Sequence, residues 1–267
     1  MVSATQIAQL RVLILGGTSE GAQLAARLSG RANLSVISSL AGRVVDLKLP
    51  EGEVRVGGFG GVDGLASYLV NEKIAVVIDV THPYAARISQ HAEIACRRTG
   101  LPLIALDRPP WNRLDGDRWH EVDDFQSAAK FVDREKTRVF LSIGRQELAS
   151  FSVCSNAWFL IRAIEKPTEQ LPPHHQLVLQ RGAFALEDEL KLLRDHAIDY
   201  VVSKNSGGLA TYNKIAAARS LNTPVVLVRR PFKHNIETFQ TVEGVVATLD
   251  RLIRDTCASE NLASGIE

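Results

Sequence analysis

The stretch Arg11-Val12-Leu13-Ile14-Leu15-Gly16-Gly17-Thr18-Ser19-Glu20-Gly21 constrains this chain more than any other. An apolar run enters a glycine-rich turn, and the turn leads into Ala22 to Leu28, where apolar residues recur at helical spacing. A continuous apolar run is how a buried parallel strand reads. Strand, glycine turn and helix in that order aim backbone N–H groups from a helix N-terminus, where the helix dipole favours an anion. The functional reading is a nucleotide phosphate site. The alternative is a tight strand-to-helix turn that merely needs small residues. Gly16 and Gly21 fill the first and third glycine positions of the dinucleotide fingerprint, but Thr18 occupies the second. Ala22 stands where the phosphate loop of kinases and GTPases requires Lys.

The next segments repeat this logic. Leu34-Ser35-Val36-Ile37 reads as a second strand, ending in Ser38-Ser39-Leu40-Ala41-Gly42-Arg43. An NAD enzyme places an Asp or Glu here for the ribose 2′-hydroxyl. This chain offers two hydroxyls and an Arg instead, which suit a 2′-phosphate and so NADP. An ordinary polar loop is the alternative. Val54-Arg55-Val56 leads into Gly57-Gly58-Phe59-Gly60-Gly61, where four glycines in five residues imply close backbone approach or positive φ. After a helix from about Val62 to Asn71, the strand Ile74 to Asp79 delivers Thr81-His82-Pro83-Tyr84 to the carboxyl edge of the sheet, where open α/β sheets bind ligands. Thr81 and Pro83 suit the start of a helix running to Arg98. His82 is either structural or catalytic. Leu101 to Leu106 is the last strand of this half.

Arg108-Pro109-Pro110-Trp111 opens an irregular crossover, expected to span 111–123. The predicted organisation is a nucleotide-binding subdomain over 1–110, the crossover, a second α/β subdomain over 124–256 and a frayed tail over 257–267. The second subdomain alternates helices with strands at 138–143, 157–162, 176–180, 199–203 and 224–228. Its strand ends carry Arg145, Arg162, Arg181, Lys204 and Arg229. In a chain of net charge +1, this repetition points to a polyanionic small ligand; dipole compensation and solvation are the alternative. Lys204-Asn205-Ser206-Gly207-Gly208 is the strongest of these, combining a cation, two hydrogen-bonding side chains and permissive backbone. The fold class is therefore α/β: two Rossmann-like subdomains with largely parallel sheets and a cleft between them.

The near-neutral charge gives no ground for nucleic-acid or membrane-surface binding. No apolar run approaches the roughly 20 residues of a membrane span. Cys96, Cys154 and Cys257 lie far apart, as neither a disulfide framework nor a zinc site, and Cys96 belongs to a helical core pattern. No metal is expected. A cytoplasmic monomer is the simplest expectation. No Gly-x-Ser-x-Gly elbow, His-Glu-x-x-His helix or acidic metal loop is present, and His174-His175 sits in a proline-flanked loop. What the residues suggest is redox chemistry between a nicotinamide and an anionic substrate.

Taken jointly and in order, these segments resemble the precorrin-6A reductase family of cobalamin biosynthesis: Leu15 to Gly21, Ser38 to Arg43, Gly57 to Gly61, Asp79 with Thr81 to Ala85, and Lys204 to Gly208. Arg108 to Trp111 and Ala157 to Arg162 are similar to family segments too. The resemblance implies NADPH-dependent reduction of a double bond in precorrin-6A, a macrocycle bearing many carboxylates, to precorrin-6B. It implies that Gly16, Gly17, Thr18, Ser19, Glu20 and Gly21, with Ser38, Ser39, Leu40, Ala41, Gly42 and Arg43, hold the cofactor. Gly57, Gly58, Phe59 and Gly60, with Thr81, His82, Pro83 and Tyr84, would line the nicotinamide side. Arg145, Lys204, Asn205, Ser206, Gly207 and Gly208 would hold substrate carboxylates or close over the cofactor. The proton donor is left open among solvent, a substrate carboxyl and His82, with Lys204 a further catalytic candidate. Two rivals stand: the cobalt-precorrin reductase of the oxygen-independent pathway, and an NADP sensor without turnover.

Overall fold

A computed structural model of the chain describes residues 9–41, 49–233 and 235–264, with side chains described as far as residue 255. The chain divides into two compact units. One comprises Met1–Arg108 with Pro231–Glu267, the other Pro109–Arg230.

The first unit alternates β1 (Leu10–Leu15), α1 (Ser19–Leu28), β2 (Leu34–Leu40), β3 (Glu53–Val56), α2 (Gly61–Asn71), β4 (Ile74–Asp79), α3 (Ala86–Thr99) and β5 (Leu103–Leu106). The second holds β6 (Trp119–Val122), α4 (Phe125–Val132), β7 (Arg138–Ser142), α5 (Arg145–Leu148), β8 (Trp158–Ala163), β9 (His175–Leu179), α6 (Leu186–Asp195), β10 (Tyr200–Lys204), α7 (Asn213–Ser220) and β11 (Val225–Val228). The chain then returns to the first unit as β12 (Thr238–Phe239) and α8 (Val242–Ser264).

The sheets run β12-β5-β4-β1-β2-β3 and β6-β11-β10-β7-β8-β9. Every described strand pair is parallel, as apolar strands alternating with crossover helices require. In each sheet the first strand of the unit's α/β run, β1 or β7, lies centrally. The order reverses between it and the fourth, at β1/β4 and β7/β10. Such a reversal is where Rossmann-like sheets open a crevice at the strands' carboxyl ends. The sixth position is filled in an exchanged sense. β6 precedes its unit's other strands in sequence, and β12 joins β5 only after the chain has passed through the other unit.

The apolar periodicity explains the layers. Val12 and Ile14 of β1 face one side, packed with Leu24 and Leu28 of α1 and Val245 and Leu249 of α8. Leu13 and Leu15 face the other, with Leu65 and Leu69 of α2 and Ala92 of α3. Burying each such Leu, Ile or Val contributes about 1.5–3 kcal/mol. In the second unit Phe140, Leu160, Val201 and Leu227 join Leu193 and Ile215 under α6 and α7.

Four expectations are corrected here. β6 lies within the stretch expected to be irregular crossover, because Trp119 to Val122 pairs with β11 in register. Residues 231–256, expected in the second subdomain, belong to the first: Val242, Val245, Val246 and Leu249 are buried against β1 and α1. The expected frayed tail is helical backbone as far as Ser264. Thr81 does not cap α3, whose N-cap is Ala85 without a side-chain bond.

Candidate functional site

The first candidate site grows from the turn after β1. Gly17 takes φ +105°, a conformation that suits glycine, and a Cβ there would meet open space. Thr18 is the N-cap of α1: its Oγ1 accepts from the Gly21 N–H at 3.1 Å and donates to the Val80 carbonyl at 2.7 Å. One hydroxyl thus ties the β1 turn to the chain leaving β4, across the point where strand order reverses. Gly21 sits in a close approach, where a Cβ would lie 3.3 Å from Gly16 Cα. Ser19 Oγ donates to Glu20 at 2.9 Å, and Glu20 takes both contacts of the Arg108 guanidinium at 2.8 and 3.0 Å. Burial pushes the Glu20 carboxyl up. Its own backbone N–H and the Arg108 guanidinium outweigh that and hold it below the usual carboxylate range.

β2 continues through Leu40, so Ser38, Ser39 and Leu40 are strand residues and buried, not loop. Ser38 Oγ is buried with no hydrogen-bond partner among the described residues, an uncommon and costly state for a hydroxyl. Ala41 is exposed at the strand end, while Gly42 and Arg43 lie outside the described residues. Arg55 of β3 reaches the same edge. Its guanidinium donates to the Gly57 and Gly58 carbonyls at 2.6 and 2.7 Å and to Ser39 Oγ at 3.4 Å. It also stacks on Phe59, 3.8 Å from the ring centroid. Phe59 in turn packs edge-on against Tyr68. Gly57, Gly58, Gly60 and Gly61 face open space.

The turn after β4 is tied down by its own side chains. Thr81 N–H donates to Asp79 Oδ1 at 2.8 Å, and the Thr81 and Ser89 hydroxyls lie 3.3 Å apart. His82 Nδ1 accepts from the Tyr84 N–H at 3.2 Å, a network that leaves the ring proton on Nε2 when the ring is neutral. Pro83 is buried beside them. Lys233, also buried, donates to the Thr81 carbonyl at 3.3 Å and lies 3.9 Å from Asp79 Oδ2.

The second candidate site is the turn after β10, at the other reversal point. Lys204 pairs with Glu147 of α5 at 2.5 Å. Arg145 pairs with Glu165 at 3.2 Å. Asn205 Oδ1 accepts from the Trp111 N–H at 2.8 Å, and the Trp111 indole donates to the Gly208 carbonyl at 2.7 Å. Ser206 is buried. Gly207 has φ +66°, and a Cβ there would lie 2.2 Å from the Pro109 carbonyl oxygen. Arg162 is buried in a two-pronged pair with Glu189, and Arg229 meets Glu121 and Asp123. The basic strand ends are therefore no bare cationic array, because acids on α5, α6 and neighbouring segments match them.

A family model described as precorrin-6x reductase CbiJ/CobK matches residues 11–250. The chain is 46% identical over 245 residues to a precorrin-6A reductase of Rhodococcus erythropolis, covering 91% of this chain and 99% of that one. It is also 46% identical to a Mycobacterium tuberculosis protein of the same name over 222 residues, covering 83% of this chain and 89% of that one. A solved structure titled CobK precorrin-6A reductase superposes with a TM-score of 0.83 at 40% identity, covering 91% and 97% of the two chains. The chain belongs to the precorrin-6x reductase family.

The expected glycine turns and strand-end motifs of this chain fall at the carboxyl edges of the two sheets. Gly16 to Gly21, Ser38 to Leu40, Gly57 to Gly60 and Thr81 to Tyr84 share the edge of the first; Arg145 and Lys204 to Gly208 share that of the second. Three residues escaped the sequence reading. Arg55 has a legible signal, an Arg between two valines directly before a glycine run. Glu147 and Lys233 have none, because their partners Lys204 and Asp79 are 57 and 154 positions away. Cys96 is core, as expected, its thiol pushed up to about 12 by burial and by Asp79.

Proposed function

We propose that this chain reduces a double bond of precorrin-6A with NADPH, giving precorrin-6B, in the biosynthesis of the corrin ring. The observation that carries this reading is the 46% identity to a precorrin-6A reductase along almost the whole of both chains. The cobalt-containing alternative has a weaker claim, since a cobalt-precorrin-6A reductase of Methanothermobacter thermautotrophicus is 28% identical over 272 residues.

The first unit's residues fit a dinucleotide. Open space over Gly17, the N-terminus of α1 and the unpartnered Ser38 hydroxyl are the features a phosphate-bearing ligand would use. On this reading Gly16 to Gly21 receive the pyrophosphate, and Ser38, Ser39 and Arg43 receive the 2′-phosphate. The Gly57 to Gly60 and Thr81 to Tyr84 turns flank the nicotinamide. When bound, NADPH supplies a hydride to one carbon of the double bond, and a proton from solvent, a substrate carboxyl or His82 completes the neighbouring carbon. Arg145 and Lys204 to Gly208 orient the substrate carboxylates. Because the chemistry belongs to the cofactor, holding the macrocycle against it provides much of the rate.

The test is titration with NADPH and NADH followed by an anaerobic assay with precorrin-6A. Selective NADPH binding and substrate-dependent loss of nicotinamide absorbance are expected. NADPH binding without turnover would leave a sensor; turnover only with the cobalt-containing substrate would move the chain to the other pathway. Arg43→Ala should weaken NADPH much more than NADH, and equal losses would remove the 2′-phosphate role.

A further inference from the structure

Where the chain returns to the first unit it inverts the usual rule of burial. Phe232 is 70% exposed, while the next residue, Lys233, is 5% exposed. A lysine is almost never buried unless paired, and burying the phenylalanine instead would desolvate no charge.

Lys233 meets the turn after β4. Asp79, the last residue of that strand, is fully buried, in register with Leu15 of β1 and Ala105 of β5. Its Oδ1 accepts from the Thr81 N–H at 2.8 Å, and its Oδ2 lies 3.9 Å from Lys233 Nζ. The same Nζ donates to the Thr81 carbonyl at 3.3 Å. Asp79 and Lys233 therefore hold Thr81 at both of its peptide groups, and the carbonyl that Lys233 holds belongs to the peptide leading into His82. The preceding carbonyl, that of Val80, is held at 2.7 Å by the Thr18 hydroxyl. Two successive carbonyls of the turn thus take side-chain donors from 62 and 152 positions away.

Stability does not account for the pair. At 3.9 Å the ammonium and the carboxylate oxygen make no hydrogen bond to each other. Apolar residues of the same volume commonly match or exceed a buried ion pair in stability. What they could not do is hold the Thr81 carbonyl, and with it the plane of the peptide that carries His82.

We propose that Lys233 is a positioning residue for the reduction: through the Thr81 carbonyl, with Asp79 as its counter-ion, it fixes the Thr81 to Tyr84 turn that flanks the nicotinamide. The inference rests on the role given to that turn under the proposed function. Orientation of the hydride donor supplies rate without adding affinity, so the loss of Lys233 falls on turnover.

The test compares wild type, Lys233→Met and the double variant Lys233→Met with Asp79→Asn. Asn keeps an acceptor for the Thr81 N–H, so the double variant removes both charges and takes from the turn only the donor to the Thr81 carbonyl. Each protein is read by thermal melting, by NADPH titration, and by turnover of precorrin-6A with NADPH and with NADPH deuterated at the nicotinamide C4. Lys233→Met should melt lower, because Asp79 keeps a buried charge, and the double variant should recover the wild-type melting temperature. In both variants kcat should fall roughly tenfold, while the KM for precorrin-6A and the affinity for NADPH stay within about twofold. The isotope effect on kcat should equal or exceed that of wild type.

Recovery of kcat together with stability in the double variant would overturn the inference and reduce Lys233 to a counter-ion of Asp79. A smaller isotope effect would also overturn it, by placing the slowed step outside hydride transfer. Should Lys233→Met not fold, the double variant decides alone; if neither folds, the role is structural and the inference falls. A wild type that does not oxidise NADPH with precorrin-6A would overturn the proposed function and this inference with it, whereas an active wild type with unimpaired variants would overturn this inference alone.

Discussion

The turns after β1 and β10 each flank a reversal of strand order, one after the first strand of its run and the other after the fourth, yet they are built in opposite ways. The first contains no cation between Gly16 and Gly21 and offers backbone: Gly17 opens onto empty space, and one Thr18 hydroxyl braces the turn from both sides. The second is crowded by its own chain. Lys204 is already paired, Asn205 and Gly208 hold Trp111, and Gly207 presses against the Pro109 carbonyl. The first turn leaves its backbone N–H groups uncrowded and pairs its one charge, Glu20, with Arg108. A turn that holds charges must keep them matched, because an isolated buried charge costs several kcal/mol.

Substituting one positive-φ glycine in each turn tests this contrast most directly. Gly207→Ala should destabilise the protein by about 3 kcal/mol, since a Cβ would overlap backbone that cannot yield, on top of the left-handed strain. Gly17→Ala adds strain alone and should cost about 1 kcal/mol. Thermal unfolding measures both, and equal losses would break the contrast. Next in size is Lys204→Ala. It should raise the KM for precorrin-6A about tenfold while NADPH affinity stays within twofold; a loss confined to NADPH would move Lys204 to the nucleotide site. Thr18→Ala should cost about 1 kcal/mol by removing the cap of α1, read from denaturant midpoints.

The smallest effect is one of pH. Glu20 titrates below the usual carboxylate range in the fold, so its contribution is present above the unfolded value near 4.5 and fades as pH falls through the lowered one. Glu20→Gln should flatten that part of the acid limb of a stability profile. A mutant with the wild-type acid limb would show that the part-buried Arg108 pair contributes nothing in solution.

Much of the first unit could be read from its residues because its signals are local. The Val12 to Leu15 run and the glycines at 16, 17 and 21 lie within ten positions and specify strand, turn and helix together. Ser38 and Ser39 were legible as polar residues at a strand end, though their burial was not. The second site was half legible. Lys204 and Arg145 stood out as basic strand ends, but Glu147 and Glu165, which neutralise them, look like ordinary surface acids until β7, β8 and β10 are assembled.

Sequence alone therefore determined the class of fold, the parallel sheets and the glycine turns that end their strands, because hydrophobic period and turn chemistry act over a few residues. Tertiary structure decided which strand completes each sheet, that α8 belongs to the first unit's core, and which charges find partners. Those outcomes depend on contacts between residues far apart in the chain. β6, Trp119 to Val122, lacks an apolar run because His120 and Glu121 are exposed, β12 is only two residues long, and an ion pair has no period to betray it.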